Sequence, residues 1–256
     1  MPQAFTDRPR FHTPEEPDVV EYRAISGLAV TALGLGLAAS IAFSSPVAWI
    51  FPLIGVVVSL IALGRVEHHA PALLGRKAAL AGLALSLLFG VAAPTSWLVY
   101  RWELRNEARR FGAFWFDFLL NNEPHKAFQL AESPQSRQPL DDAIWEFYPK
   151  GSESRDRLER FLREPAVRTL LALGKRAMVR YYDTERQYRD PSGREMVYQT
   201  YAVTFSSQRE STSFFVGLEM DRFRVPAMGR AYWRVINVSG GVKPTALGGS
   251  GKPVIE

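Results

Sequence analysis

The residues weighed for chemistry in this 256-residue chain are four histidines, its carboxylates and a dense set of aromatics; no cysteine occurs. That absence removes a thiolate nucleophile, a disulfide framework and a cysteine-based zinc site together. His125 is the one histidine beyond residue 100 and directly follows Pro124 at an expected helix start. This placement favours a surface position over a role as general base. Asp117 stands between Phe116 and Phe118 and is expected on the polar side of its helix, the alternative being a lone acid entering a cavity. His68 and His69 are adjacent, and neighbours in sequence rarely point at one metal, so no metal site is expected. No residue is therefore assigned as catalytic and no cofactor is implied.

Aromatic side chains are also abundant: Trp115, Tyr181, Tyr182, Tyr198, Tyr201, Phe214, Phe215 and Trp233 all fall beyond residue 100. Most are expected to form a core. Trp115, Tyr181, Tyr198, Tyr201, Phe214 and Trp233 are the candidates to line a cavity for an apolar or aromatic ligand.

The elements that position these residues divide into two chemical environments. The averages, 47% hydrophobic and 22% charged, are those of an ordinary globular protein. Between Ile25 and Tyr100, however, charge is confined to the stretch from Arg65 to Lys77. Residues 101–256 hold 25 of the 31 basic and 20 of the 26 acidic side chains, so the net charge of +5 arises entirely there. So small an excess, so widely spread, argues against nucleic-acid binding and fits a solvated surface beside anionic lipid headgroups.

Ile25 to Gly64 is a run of forty residues without charge, twice the roughly 20 that one helical crossing of a bilayer needs. Ser44-Ser45-Pro46 breaks it, since proline suits the first turn of a new helix and not the interior of an old one. A polar segment from Arg65 to Lys77 precedes a third apolar run ending in Trp97, Tyr100 and Trp102, an aromatic belt of the kind found at membrane interfaces. Three spans follow, at 25–43, 47–64 and 78–100, after a polar tail over 1–24. The runs are too long and too often repeated for a cleaved secretory signal.

Arg8, Arg10 and Arg23 in the tail, with Arg65, Arg76 and Lys77 in the second loop, place both in the cytoplasm; the Ser44-Ser45 turn, free of basic residues, lies outside. An odd number of spans then exports everything after Tyr100 from a multi-pass protein of the inner membrane. Arg101, Arg105, Arg109 and Arg110 oppose this orientation, but long domains translocate largely regardless of charge. Small residues recur at intervals of four: Ala32, Gly36 and Ser40 in the first run, Gly55 and Ser59 in the second, and Gly82, Ser86 and Gly90 in the third. Such stripes permit close backbone approach, either among the three helices or in a homo-oligomer. No charge lies inside a span, which disfavours a transporter.

Beyond Glu103 the pattern becomes an amphipathic helix on Leu104, Ala108, Phe111, Trp115, Phe118 and Leu119, ended by Asn121-Asn122-Glu123-Pro124. A short helix through Ala127, Phe128 and Leu130, another near 140–147 and a third over Pro165–Leu173 follow, the last bounded by Gly174. The period then drops to two. Strands are expected over Ala177–Tyr188, Glu195–Phe205, Thr212–Met220 and Tyr232–Val238, with a turn at Asp190-Pro191-Ser192-Gly193. The domain therefore extends over 101–239 and its fold class is α+β, helices packed on a curved antiparallel sheet, followed by a disordered Gly-, Ser- and Pro-rich tail over 240–256.

Two resemblances rest on these residues. Ala24-Ile25-Ser26-Gly27-Leu28-Ala29, Ile61-Ala62-Leu63-Gly64 and Gly75-Arg76-Lys77-Ala78-Ala79-Leu80-Ala81-Gly82-Leu83-Ala84-Leu85 resemble a family of small Gly- and Ala-rich bacterial membrane domains of unknown function. Ala113-Phe114-Trp115-Phe116-Asp117-Phe118-Leu119-Leu120-Asn121-Asn122 followed by Ala127-Phe128-Gln129-Leu130 is similar to the first two helices of nuclear transport factor 2-like domains. The second resemblance implies a cone-like cavity and a family that includes enzymes, carriers and interaction modules, so fold alone does not select a function. The expectation is a membrane-anchored, non-catalytic module whose exported domain binds a protein partner or a small ligand. A membrane-bound enzyme using the cone cavity is the alternative, and an assembly factor recognising through its spans a third reading.

Overall fold

The computed structural model describes residues 24–68, 73–207, 210–225 and 229–249. The tail with Arg8, Arg10 and Arg23, together with His69 and residues 250–256, lies outside these. The chain forms two compact units, Met1–Val99 and Tyr100–Glu256.

In the first unit α1 (Gly27–Ala38) continues as a 3₁₀ turn to Phe43, and a second 3₁₀ turn over Pro46–Trp49 leads into α2 (Ile50–His68). The break falls at Ser44-Ser45-Pro46, where the Ser45 hydroxyl accepts from the Val47 amide at 3.2 Å and caps the new helix. Two short strands, β1 (Ala24–Ile25) and β2 (Leu73–Leu74), pair in parallel before α3 begins at Arg76. Two helices, Pro46–His68 and Arg76–Leu120, are long and apolar enough to cross a membrane by length and composition; Gly27–Phe43 is shorter.

The interior of this unit is built from small residues. Ala29, Ala32, Gly36, Gly55, Ser59, Ala62, Ala79 and Ser86 are buried, whereas Val47, Leu53 and Val91 are 84%, 67% and 67% exposed. A Cβ on Gly36 would sit 2.7 Å from the Gly82 carbonyl, and one on Gly82 would sit 2.5 Å from that of Ala32. The backbones of α1 and α3 therefore touch only because both positions lack a side chain.

α3 runs unbroken for 45 residues, from Arg76 to Leu120. The sequence suggests a change of element near Tyr100; instead the apolar and amphipathic patterns are two parts of one helix. From Trp97 to Arg105 no proline, glycine or turn residue interrupts it, and its arginines, glutamate and leucines all favour helix. It ends where Asn122 turns left-handed at φ 61°, with Glu123 N–H donating to Phe118 O and Asn122 N–H to Leu119 O, the two bonds of a Schellman cap.

In the second unit α4 (Pro124–Gln129), a 3₁₀ turn (Asp142–Phe147), α5 (Glu153–Arg163) and α6 (Pro165–Leu173) precede a four-stranded antiparallel sheet in simple sequential order. Its strands are β3 (Ala177–Arg189), β4 (Glu195–Ser207), β5 (Glu210–Val225) and β6 (Arg230–Gly240). Ser152 caps α5 by accepting from the Arg155 amide at 3.2 Å, and Pro165 opens α6 with a fixed φ and no amide to leave unpaired.

Alternation sends Val197, Gln199, Tyr201 and Val203 of β4 and, by register, Met220, Leu218, Val216 and Phe214 of β5 to one face. There they meet Trp115, Phe116, Leu119, Leu158, Phe161, Val167 and Leu170 in a single core. Residues 240–249, expected to be disordered, instead stay with the sheet: Val242 is buried and donates to Phe215 O at 3.2 Å, and the Thr245 amide reaches the Glu185 carboxylate at 3.2 Å. A buried valine, one backbone bond and one amide–carboxylate bond supply the anchorage that composition alone does not reveal.

Candidate functional site

One turn after another of α3 presents Arg109, Ala113, Phe116, Asp117 and Leu120 along a single stripe, the i, i+4, i+7, i+8, i+11 series of a helix face. β3, an edge strand, runs beside it with Ala177, Val179, Arg180 and Tyr181, and Tyr201 of β4 closes the floor. Together they bound a groove of about 600 Å³. Its floor is aromatic: Phe116 and Tyr201 pack with ring centres 4.8 Å apart, and Tyr181 meets Tyr201 edge-on at 6.0 Å. Its rim is charged. The Arg109 guanidinium lies 5.0 Å above the Tyr181 ring, with exposed Arg180 and Asp117 alongside.

The floor is held in place by a buried polar chain. Tyr201 O–H donates to Gln199 Oε1 at 2.7 Å, and Gln199 Nε2 donates to Arg105 O at 3.0 Å and to Thr184 Oγ1 at 3.1 Å. The Tyr181 and Thr184 hydroxyls pair at 2.9 Å. Burial pushes the Tyr201 phenol well above the ordinary tyrosine range, so it stays a neutral donor. Gly112 makes room for it: a Cβ there would run into the Tyr201 hydroxyl. β3 carries two register shifts, between Tyr181 and Asp183 and between Thr184 and Arg186. Bulges of this kind on an edge strand re-aim side chains and discourage further strand pairing.

Of the six aromatics singled out in the sequence, the structure brings Tyr181 and Tyr201 together in this groove. Trp115 is fully buried in the core between Phe116 and Phe161, its Nε1 without a hydrogen-bond partner among the described residues. Phe214 packs against the same core beside Phe205, and Trp233 stacks on Phe111 and donates to Glu107 at 3.2 Å. Tyr198 lies on the opposite face of the sheet, across Gly217 and beneath the Arg186 guanidinium at 5.2 Å. An odd separation of three residues on one strand forces Tyr198 and Tyr201 to opposite faces, a signal present in the sequence.

Arg109, Phe116, Leu120 and Arg180 are among the lining residues that pattern reading does not assign to a site. His125 is a correction. It is buried, not on the surface, with its ring 4.3 Å from that of Trp145, because the 3₁₀ turn over Asp142–Phe147 folds back onto α4. Asp117 is exposed at the groove's rim. No cluster of three His, Asp or Glu suited to a metal ion occurs among the described residues.

Buried carboxylates elsewhere are bound by arginine. Asp221, fully buried, accepts from Arg234 Nε at 3.1 Å and Nη2 at 2.6 Å and from Arg194 Nη1 at 3.4 Å. Arginine donors on both of its oxygens hold this carboxylate in one geometry. Comparison with known proteins returns no match to a family model, a curated sequence or a solved structure.

Proposed function

We propose that this chain is a membrane-anchored, non-catalytic binding module. Three apolar helices hold it in the bilayer, and its α+β domain, on the extracytoplasmic side, takes a small ligand in the groove between α3 and β3. The observation that carries the anchoring is the inverted packing of the first unit, with alanine, glycine and serine inside and Val47, Leu53, Leu88 and Val91 outside. Soluble proteins rarely expose a contiguous apolar surface of this extent, whereas hydrocarbon is the solvent in which it has no cost.

The third span at 78–100 forms the first part of α3, and the first, Gly27–Phe43, is about 28 Å long from its α and 3₁₀ rises, close to the roughly 30 Å of a hydrocarbon core. The groove's volume falls within the range of ligand sites. Its aromatic floor suits a flat apolar body, and Arg109 and Arg180 at the rim suit an acidic group on that body. The arginine-bound carboxylates favour binding over catalysis.

Alkaline carbonate extraction tests the anchoring directly. The chain is expected to stay in the pellet, and its recovery in the supernatant as a discrete particle would overturn the reading. A phosphatase reporter placed after Gly249 is expected to be active, as an exported domain requires. Mass spectrometry of small molecules retained by the detergent-purified chain, compared with an Arg109→Ala/Tyr181→Ala variant, tests the groove; identical spectra with nothing retained count against it.

A further inference from the structure

A second concave surface in the α+β unit differs in character from the groove. Two adjoining hollows of about 560 and 440 Å³ share Arg222 and Ala231. Arg189, Arg194, Arg222 and Arg224 line the first, with Glu195 and Tyr100. Arg110 and Arg230 add to the second, with Glu107 and Trp233. Six arginines thus face two glutamates, and both glutamates are already engaged.

Glu195 Oε1 accepts from Arg189 Nε at 2.7 Å and Nη2 at 2.5 Å, and from the Tyr100 hydroxyl at 3.1 Å. Glu107 Oε2 lies 2.9 Å from Arg222 Nε and accepts from Trp233 Nε1. Arg194 is tied to Asp190 and Asp221. These pairs fix a floor. Arg110, Arg224 and Arg230 are exposed, and among the described residues they make no ion pair. Three guanidinium groups are therefore left to meet an anion from outside, and their planar donor forks match phosphate oxygens.

The position selects among phosphates. Tyr100, which lines the basin, is the residue immediately after the apolar unit ends at Val99, and Trp102, two residues on, is 66% exposed. Tyrosine and tryptophan at the end of an apolar helix sit at headgroup depth. We propose that this basin binds the phosphodiester headgroup of an anionic membrane lipid, with Arg110, Arg224 and Arg230 as its contacts. The proposal rests on the anchoring argued above, and it adds a second site to the groove.

The test is a melting series on the full chain in a neutral detergent, titrated with phosphatidylglycerol, phosphatidylcholine or inorganic phosphate. Phosphatidylglycerol is expected to raise Tm saturably, and the other two to leave it unchanged at the same concentrations. Arg224→Ala/Arg230→Ala, at two exposed positions, is expected to weaken the apparent Kd for phosphatidylglycerol by roughly tenfold or more, as loss of two juxtamembrane charges implies. Its lipid-free Tm should match the parent, and Arg168→Ala on α6 should bind as the parent does. No response to phosphatidylglycerol, an equal response in the double variant, or a response reproduced by inorganic phosphate each overturns the lipid site. Those results leave the anchoring standing. A chain that is monodisperse in buffer without detergent overturns the anchoring, and the lipid site with it.

Discussion

Among the described residues of 24–99 the side chains turned inward are mostly alanine, glycine and serine, joined by Pro52 and Val66, and those turned outward are mostly leucine, isoleucine, valine and phenylalanine; from Tyr100 onward the order reverses. Trp115, Phe116, Tyr201, Leu218 and Met220 are fully buried in the second unit, with arginines and glutamates around them. On the anchoring proposal both units obey the same rule, that contact with the surrounding medium goes to the groups that medium tolerates. What differs is the source of cohesion. In the second unit it comes from removing large apolar surface from water. In the first it comes from close backbone contact that any added atom disturbs.

The largest expected effect is therefore at Trp115. Trp115→Ala should cost about 3–5 kcal/mol, since it removes a fully buried indole and leaves a cavity in the core. Chemical denaturation of the α+β unit, followed by near-ultraviolet circular dichroism, measures it. A loss under about 1 kcal/mol would show that this core is not packed as a water-soluble one.

Next in size is the converse change in the first unit, where harm comes from adding atoms. Gly82→Leu should cost about 1–3 kcal/mol, because its Cβ alone would meet the Ala32 carbonyl at 2.5 Å. Gly34→Ala sharpens the point: nothing lies within 4 Å of that site, and alanine is the better helix former, so no destabilisation is expected. Thermal melting of both variants in detergent discriminates. Equal losses would mean that the glycines serve flexibility and not contact.

Sequence pattern located most of these elements, and the exceptions share a cause. The period-two runs after Gly174 mark all four strands, and Pro165 and Gly174 mark both ends of α6. These signals are local. The burial of His125 depends on Trp145, twenty residues away, and the groove depends on β3 lying along one stripe of α3. The pairing of Asp221 with Arg234 and Arg194 likewise joins different parts of the sheet. Continuity of α3 was illegible for another reason: the pattern changes from apolar to amphipathic, and the backbone needs no break to accommodate that change.

A smaller effect is expected where the second unit buries a polar group. Tyr201→Phe removes the donor to Gln199 Oε1 and should cost about 1–3 kcal/mol at the low end of that range, since Gln199 keeps its two other bonds. The tyrosine also sets an alkaline limit. Burial raises its folded-state pKa above the unfolded value, so its contribution is fully present below about pH 10 and is lost as pH rises from there towards the folded value. Stability of the parent should fall above about pH 10 more steeply than that of Tyr201→Phe. Parallel pH-stability curves would remove Tyr201 as the cause.

The smallest effect, that of Leu53→Ala, belongs to the comparison most specific to the anchoring proposal. Leu53 is 67% exposed and Leu158 fully buried, so truncating each to alanine compares one residue type in two surroundings. Leu158→Ala should cost about 2–5 kcal/mol, and Leu53→Ala in detergent less than about 0.5 kcal/mol, because detergent or lipid chains replace the lost contacts as well as leucine made them. Leu53→Asp should behave otherwise, with an insertion penalty of about 2.5–3.5 kcal/mol at the centre of a span, visible as a loss of carbonate-resistant protein. A purely surface leucine in water would accept aspartate freely and gain solubility by it. Unaltered membrane recovery of Leu53→Asp would thus place the outer face of α2 in water and erase the contrast between the two units.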